Sequence, residues 1–166
     1  RSKILLRAES AMLRYFDLVT MQTSKEYEWV KMHFVGVEQK WLILPNGVSS
    51  TLFDIPEDRP NSSLLFVGAL HGVYGERLQW FIQNVWHIIR KTHSGVSMHV
   101  VGKGASLELR ELFAKEEVIY EPYVESIEEE YARHAILVAP IFKGYGLINK
   151  VIEAMAAGCL VVGDRT

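Results

Sequence analysis

Two glycines around one aromatic residue, followed by a lysine and a glutamate spaced along a helix, form the segment of this chain best suited to chemistry. They are Gly144, Tyr145 and Gly146, then Leu147, Ile148, Asn149 and Lys150, and finally Glu153. Glycine lets a backbone approach a ligand closely and reach positive φ. The first amides of a helix lack partners inside it and carry the positive end of its dipole, so they suit a phosphate or another anion. Lys150, within the first turn, would add a positive charge. Asn149 and Glu153 are four residues apart and share a helix face. Glu153 lies too far along to gain from the dipole and would repel phosphate. The role that suits it is accepting hydrogen bonds from neutral hydroxyls, such as those of a ribose. The same residues also fit an ordinary helix start, in which Lys150 and Glu153 form a surface ion pair worth under about 1 kcal/mol.

Such a loop needs a frame, and the residues before it supply one. Ser63 to Val67 is a nearly continuous apolar run ending in Gly68, as expected of a strand buried on both faces. Leu78, Phe81, Ile82, Val85, Trp86 and Ile89 follow at spacings of three and four, which predicts a helix over 76–91. A strand over 96–101, a helix over 106–115 and a strand over 118–120 come next. A short acidic helix follows over 126–134, where Ser126 and Glu129 have capping-box spacing. A strand over 136–140, a helix over 147–157 and a strand over 160–162 complete the series. This alternation predicts a doubly wound, Rossmann-like parallel α/β sheet. Ligands of such sheets bind beyond the carboxyl ends of the strands. The loops there are 68–75, 102–105, 121–125 and 141–146. The first sixty residues read differently: a helix over 4–15, a strand over 17–21, a helix capped by Ser24 and running to Phe34, and a strand over 40–44. Pro45, Asn46 and Gly47 then make a turn.

Bulk properties narrow the function classes. The 166 residues are 49% hydrophobic, enough for one well-buried domain. The net charge of −2, with Lys and Arg spread along the chain, excludes a nucleic-acid footprint. No apolar run approaches the length of a membrane span, and Arg1-Ser2-Lys3 are not followed by the apolar core and small-residue cleavage site of a signal peptide. The single cysteine, Cys159, excludes an internal disulfide framework and makes a reducing cytosol the default location. No histidine pair has metal-ligand spacing on one helix face, so no metal is expected. His71 reads as a solvated loop histidine, Trp80 and Trp86 as packing, 125–130 as a solvated helix start, and Cys159 as a small buried hydrophobe.

Several motifs together resemble a known family. Lys150-Val151-Ile152-Glu153-Ala154-Met155-Ala156-Ala157-Gly158-Cys159-Leu160-Val161-Val162 is similar to the "K-x-x-E-A-M-A-x-G-x-P-V-V" segment of glycosyltransferase family 4 and its relatives. Leu44-Pro45-Asn46-Gly47-Val48 resembles that family's "I-P-N-G-V" junction. Leu65-Phe66-Val67-Gly68 and Val100-Val101-Gly102-Lys103-Gly104 resemble the first two strands of its C-terminal domain. The resemblance implies the GT-B fold, in which two Rossmann-like domains face a cleft. Residues 1–47 would be the end of the first domain, 48–61 a linker, and 62–166 the nucleotide-sugar-binding domain, continuing past Thr166. The chain would then be a fragment.

The resemblance also implies roles. Glu153 matches the second glutamate of the family's E-x7-E signature, which accepts from the ribose hydroxyls. The first glutamate has no counterpart: it falls at Tyr145 by strict counting, or at Lys143 if aligned on the Gly-aromatic-Gly unit, and neither is acidic; members with a "G-x-x-x-K-x-x-E-A" form share this lack. Gly146, Leu147 and Ile148 match a backbone-amide cradle for phosphate and sugar, with Gly144, Tyr145, Asn149 and Lys150 around it. Gly68 matches the glycine that admits the diphosphate, and Gly102 opens the neighbouring loop. Tyr123 and Val124 match the loop beside the base. The family's basic pair after the first strand has no counterpart in register, Arg77 and Lys103 being nearby, and Leu160 replaces a proline. The implied activity is transfer of a hexose, with retention, from a UDP- or GDP-linked donor to a saccharide or lipid-linked acceptor, without a separate cofactor. The intact enzyme would work in the cytoplasm, with room for peripheral association at the cytosolic face of a membrane, and the isolated chain would be inactive. Two other readings stay open: a non-catalytic α/β nucleotide-binding or protein-interaction module, and another GT-B enzyme such as an epimerase or phosphorylase.

Overall fold

The structure, a computed structural model, describes residues 3–34, 41–56, 62–140 and 147–164. It divides into two compact units. One holds residues 1–47 and 145–148, the other 48–144 and 149–166.

The first unit carries helix α1 (Lys3–Leu13), strand β1 (Val19–Met21), helix α2 (Ser24–His33) and strand β2 (Trp41–Ile43). β1 and β2 pair in parallel, and Leu44 N donates to Met21 O at 2.7 Å just beyond the pair. The cap of α2 is Thr23, one residue before the expected Ser24. Its hydroxyl accepts from Glu26 N while Glu26 Oε2 accepts from Thr23 N. Thr23 wins because only from there does the Glu stand at the third helical position and close both halves of the box. Val30 and Phe34 are buried, with the rings of Trp29 and Trp41 around Phe34. Lys40, expected to open the second strand, lies outside the described residues.

The second unit begins with a 3-10 turn over Ser50–Asp54, inside the segment read as a linker, and buries its Leu52. There follow β3 (Ser63–Val67), α3 (Gly72–Phe81), a π-helical segment (Ile82–Trp86) and α4 (His87–Thr92). Then come β4 (Ser97–Val101), α5 (Leu107–Lys115), β5 (Ile119–Glu121), α6 (Ile127–Arg133), β6 (Ile136–Ala139), α7 (Asn149–Ala156) and β7 (Leu160–Gly163). The five strands are all parallel, in the order β5-β4-β3-β6-β7. This is the Rossmann-like doubly wound sheet.

Alternation along each strand divides the core between the two faces. Leu64, Phe66, Met98, Val100 and Val138 point into one cluster, with Leu78, Ile82 and Trp86 of the long helix and Leu109 and Phe113 of α5. Leu65, Val101 and Leu137 point into the other, with Leu52, Tyr131 of α6 and Ala154 of α7. The single helix expected over 76–91 starts four residues earlier and contains the π segment. That extra residue per turn keeps the apolar stripe on the sheet and places Trp86 so that its Nε1 donates to Glu116 O at 2.9 Å. Trp86 is buried, whereas Trp80 is 44% exposed and contributes less to the packing expected of both.

The acidic run over 125–130 departs from a solvated helix start. Ser126 caps α6, accepting from Glu129 N at 3.2 Å. Glu130, however, is buried; Arg133 Nη1 donates to its Oε1 at 3.1 Å, and its Oε2 lies 3.8 Å from His134 Nδ1. Its position one turn before His134 turns it toward the sheet. Cys159 is buried, with Sγ donating toward the carbonyls of Tyr131 and His134. Among the described residues no helix is long and apolar enough to cross a membrane.

Candidate functional site

The strand order reverses between β3 and β6. The helix leaving β3 packs on one face of the sheet and the helix leaving β6 on the other. A crevice opens at such a point, beyond the carboxyl ends of the two strands.

Two glycines build its floor. Gly68 has φ +152° and Gly102, on the adjacent strand end, φ +153°. Main-chain pairing continues past both strands: Gly68 N donates to Val101 O at 3.0 Å, Leu70 N to Lys103 O at 2.7 Å and Gly102 N to Glu121 O at 2.9 Å. A Cβ on Gly102 would stand 1.8 Å from the Gly68 carbonyl oxygen, and one on Gly68 would stand 2.9 Å from Lys150 Nζ. Gly102 has no room for a Cβ, and the positive φ of Gly68 favours glycine there as well.

Lys150 uses the room that Gly68 leaves. Its Nζ donates to the Val67 carbonyl at 2.6 Å. It lies 4.4 Å from the centre of the Phe66 ring and 5.5 Å from that of Tyr74. Burial pulls the ammonium down from its ordinary range to about 8. An anion arriving beside it would favour the charged form again. Lys150 is therefore turned onto the end of β3, and the surface ion pair with Glu153 gives way to two separate partnerships.

Glu153, half-buried on α7, meets Tyr131 of α6. The Tyr131 hydroxyl lies 3.1 Å from Glu153 Oε2, to which it donates, and 3.4 Å from the Lys150 carbonyl. Tyr131 has no exposed surface. Burial, reinforced by the negative charge of Glu153, pushes its phenol well above the usual range, so it remains a donor.

Tyr123 and Val124, in the loop after β5, divide. Val124 packs onto the core shared by α6 and α7, while Tyr123 is 66% exposed with Lys103 Nζ 5.3 Å from its ring centre. The loop is thus anchored at one residue and presents a ring at the other. His71 stands at the N-cap of α3 without a side-chain cap bond, exposed beside Gly104.

The structure brings together Gly68, Gly102, Lys150 and Glu153. Asn149 is exposed at the start of α7. Leu147 and Ile148 are half-buried and group with the first unit. Gly144, Tyr145 and Gly146 lie outside the described residues. Three contacts had no local sequence signal: Tyr131, which reaches Glu153 across 22 positions, and Phe66 and Tyr74, which flank the lysine. Among the described residues no group of three or more His, Cys, Asp or Glu side chains could hold a metal ion.

Known proteins can be set beside this geometry. No curated protein matches the chain in sequence. Solved structures share its fold. The pneumococcal O-GlcNAc transferase GtfA, crystallised with UDP and GlcNAc, superposes with a TM-score of 0.77 at 16% identity, over 94% of this chain and 31% of its own. HepE of Anabaena, in complex with UDP and glucose, gives 0.70 at 14% identity over 98% and 48%. WaaG, a glycosyltransferase involved in lipopolysaccharide biosynthesis, gives 0.66 at 19% identity over 87% and 43%. The chain thus spans about a third to about a half of the length of these proteins. Residues 61–166, which include the whole five-stranded sheet, match the family described as glycosyl transferases group 1. On that match, together with the switch-point crevice and the Lys150–Glu153 helix beneath it, the chain belongs to the group 1 glycosyltransferases.

Proposed function

We propose that the second unit binds the nucleoside diphosphate of a sugar donor, UDP- or GDP-linked, with its diphosphate over the Gly68–Gly102 floor and its ribose against Glu153. The intact enzyme would pass the hexose to a saccharide or lipid-linked acceptor. One observation carries this reading: at the switch point of the sheet, a side-chain-free floor at two strand ends lies beside a half-buried lysine and, within one turn along the same helix, a carboxylate held by a buried hydroxyl. That order of groups suits a diphosphate next to a vicinal diol. Departure of the diphosphate develops negative charge, and the Lys150 ammonium is the group placed to oppose it. UDP in the crystals of GtfA and HepE supports the same class of ligand. We infer that these 166 residues bind donor without turning it over, since the family resemblance implies a second Rossmann-like domain across the cleft.

Titration calorimetry with UDP and GDP tests the reading. Glu153→Ala should weaken binding by about 1.5–3 kcal/mol, the range for hydrogen bonds to a charged group. An unchanged affinity would remove Glu153 from the ribose. A non-catalytic nucleotide-binding module is the second reading, favoured by Tyr145 standing where the first glutamate of the family signature would be. Failure of every nucleoside diphosphate to raise thermal stability would exclude both nucleotide-binding readings and leave the protein-interaction module.

A further inference from the structure

We propose that Tyr131 is the positioning residue of the ribose site: its buried hydroxyl holds the Glu153 carboxylate in the orientation that accepts the ribose diol. This rests on the ribose reading of Glu153 given above. The side chain of Tyr131 is fully buried beneath α7, so its hydroxyl must find an acceptor within the protein. Two are in reach, the Lys150 carbonyl at 3.4 Å and Glu153 Oε2 at 3.1 Å. The carboxylate oxygen is both nearer and charged, which makes it the stronger acceptor.

The geometry has a consequence for the ligand. A half-buried glutamate on a helix can rotate about three side-chain bonds, and each rotation moves its oxygens away from a bound diol. Fixing one oxygen from below leaves the other with a defined direction, which removes an ordering cost from binding. Tyr131 is itself fixed, since its ring fills the core between β3, β6 and the 3-10 turn and its carbonyl accepts from Cys159 Sγ. The hydroxyl that aims Glu153 is therefore mounted on α6, whose Tyr131 ring packs against the sheet.

The test is a pair of ligands and a pair of variants. Binding of UDP and of 2′,3′-dideoxy-UDP is measured on the 166-residue chain by calorimetry, for wild type, Tyr131→Phe, Glu153→Ala and the double variant. In the wild type UDP should bind more tightly than the dideoxy compound. Tyr131→Phe should weaken UDP about three- to tenfold, the effect of one lost hydrogen bond, and leave the dideoxy compound unchanged. In the Glu153→Ala background Tyr131→Phe should change neither ligand. If Glu153→Ala abolishes the preference for UDP while Tyr131→Phe keeps it at the wild-type ratio, Tyr131 does not position the carboxylate and the proposal fails alone. If Glu153→Ala also keeps the ratio, the ribose reading fails, and the proposal with it. Should thermal unfolding show that Tyr131→Phe is not folded, 3-fluorotyrosine at position 131 replaces it. As a stronger donor of the same shape it should alter the UDP-to-dideoxy ratio, and an unaltered ratio overturns the proposal.

Discussion

Replacing Lys150 with methionine should make the protein more stable and a poorer binder. The ammonium sits against the Val67 carbonyl and two aromatic rings, and burial lowers it from 10.5 to about 8. At about 1.4 kcal/mol per pH unit, that depression corresponds to about 3 kcal/mol favouring the neutral form in the folded chain. The sign follows from proton counting. Between about pH 8 and 10.5 the unfolded chain holds the proton and the folded chain has released it, so wild-type stability rises with pH across this window. Below it the full cost of the buried charge is present. Methionine keeps the length and apolar volume, carries no charge, and gives up the charge-assisted bond to Val67, worth about 1.5–3 kcal/mol. Lys150→Met should therefore be about 0–1.5 kcal/mol more stable than wild type at pH 7, on the two magnitudes just given. That advantage should disappear by pH 10.5. Urea denaturation of both proteins at pH 7, 8.5 and 10 measures it, and subtracting one from the other cancels every group the two proteins share. The binding half is read by calorimetry. UDP should bind the variant at least about tenfold more weakly, the loss of one charge-assisted contact. In the wild type at pH 8.5, binding should take up a proton, because a diphosphate beside Lys150 restores its charge. A variant less stable than wild type at every pH would refute the reasoning on desolvation, and equal UDP affinity would refute the placement of the diphosphate.

Two further predictions concern the frame. Gly102→Ala would put a methyl 1.8 Å from the Gly68 carbonyl oxygen at φ +153°, so the strand end must move or the chain must fail to fold. A loss of about 3 kcal/mol or more, read as a lowered denaturation midpoint, is expected. Ser126→Ala removes the side-chain acceptor of Glu129 N and should cost about 1 kcal/mol, with α6 fraying first in hydrogen exchange.

How much of this was legible from residue order depends on the range of the contacts. The strands of the second unit announce themselves by short apolar runs such as Ser63 to Val67, and the long helix by its three-and-four spacing, because both patterns arise from burial within one element. The glycines at 68 and 102 could be placed at strand ends for the same reason. What could not be read was which side chains meet. Tyr131 is one of several apolar or aromatic residues on short helices, and only the packing of α6 beside α7 brings it to Glu153. Lys150 shows no preference in sequence between solvent, phosphate and the end of β3; that choice depends on the gap left by Gly68. Glu130 falls in an acidic run that looks uniformly solvated, yet helix phase buries this one. The 3-10 turn over Ser50–Asp54 is too short to show a period, and its buried Leu52 has meaning only against α7. The central segment of the proposed site, 144–146, lies outside the described residues.

The glycine floor bears on how such a chain can drift. Its shape comes from main-chain atoms at two adjoining strand ends, where Gly102 cannot gain a Cβ without striking the carbonyl of Gly68. Peptide units are the same whatever side chains flank them, so the floor keeps its shape as long as the core beneath holds the two strand ends in place. A protein built this way can keep a common backbone, here at a TM-score of 0.70 with only 14% of residues shared, while the walls around the floor are exchanged. Change of ligand preference is then a matter for loops such as the one bearing Tyr123, and the sheet end beneath them can be inherited unaltered.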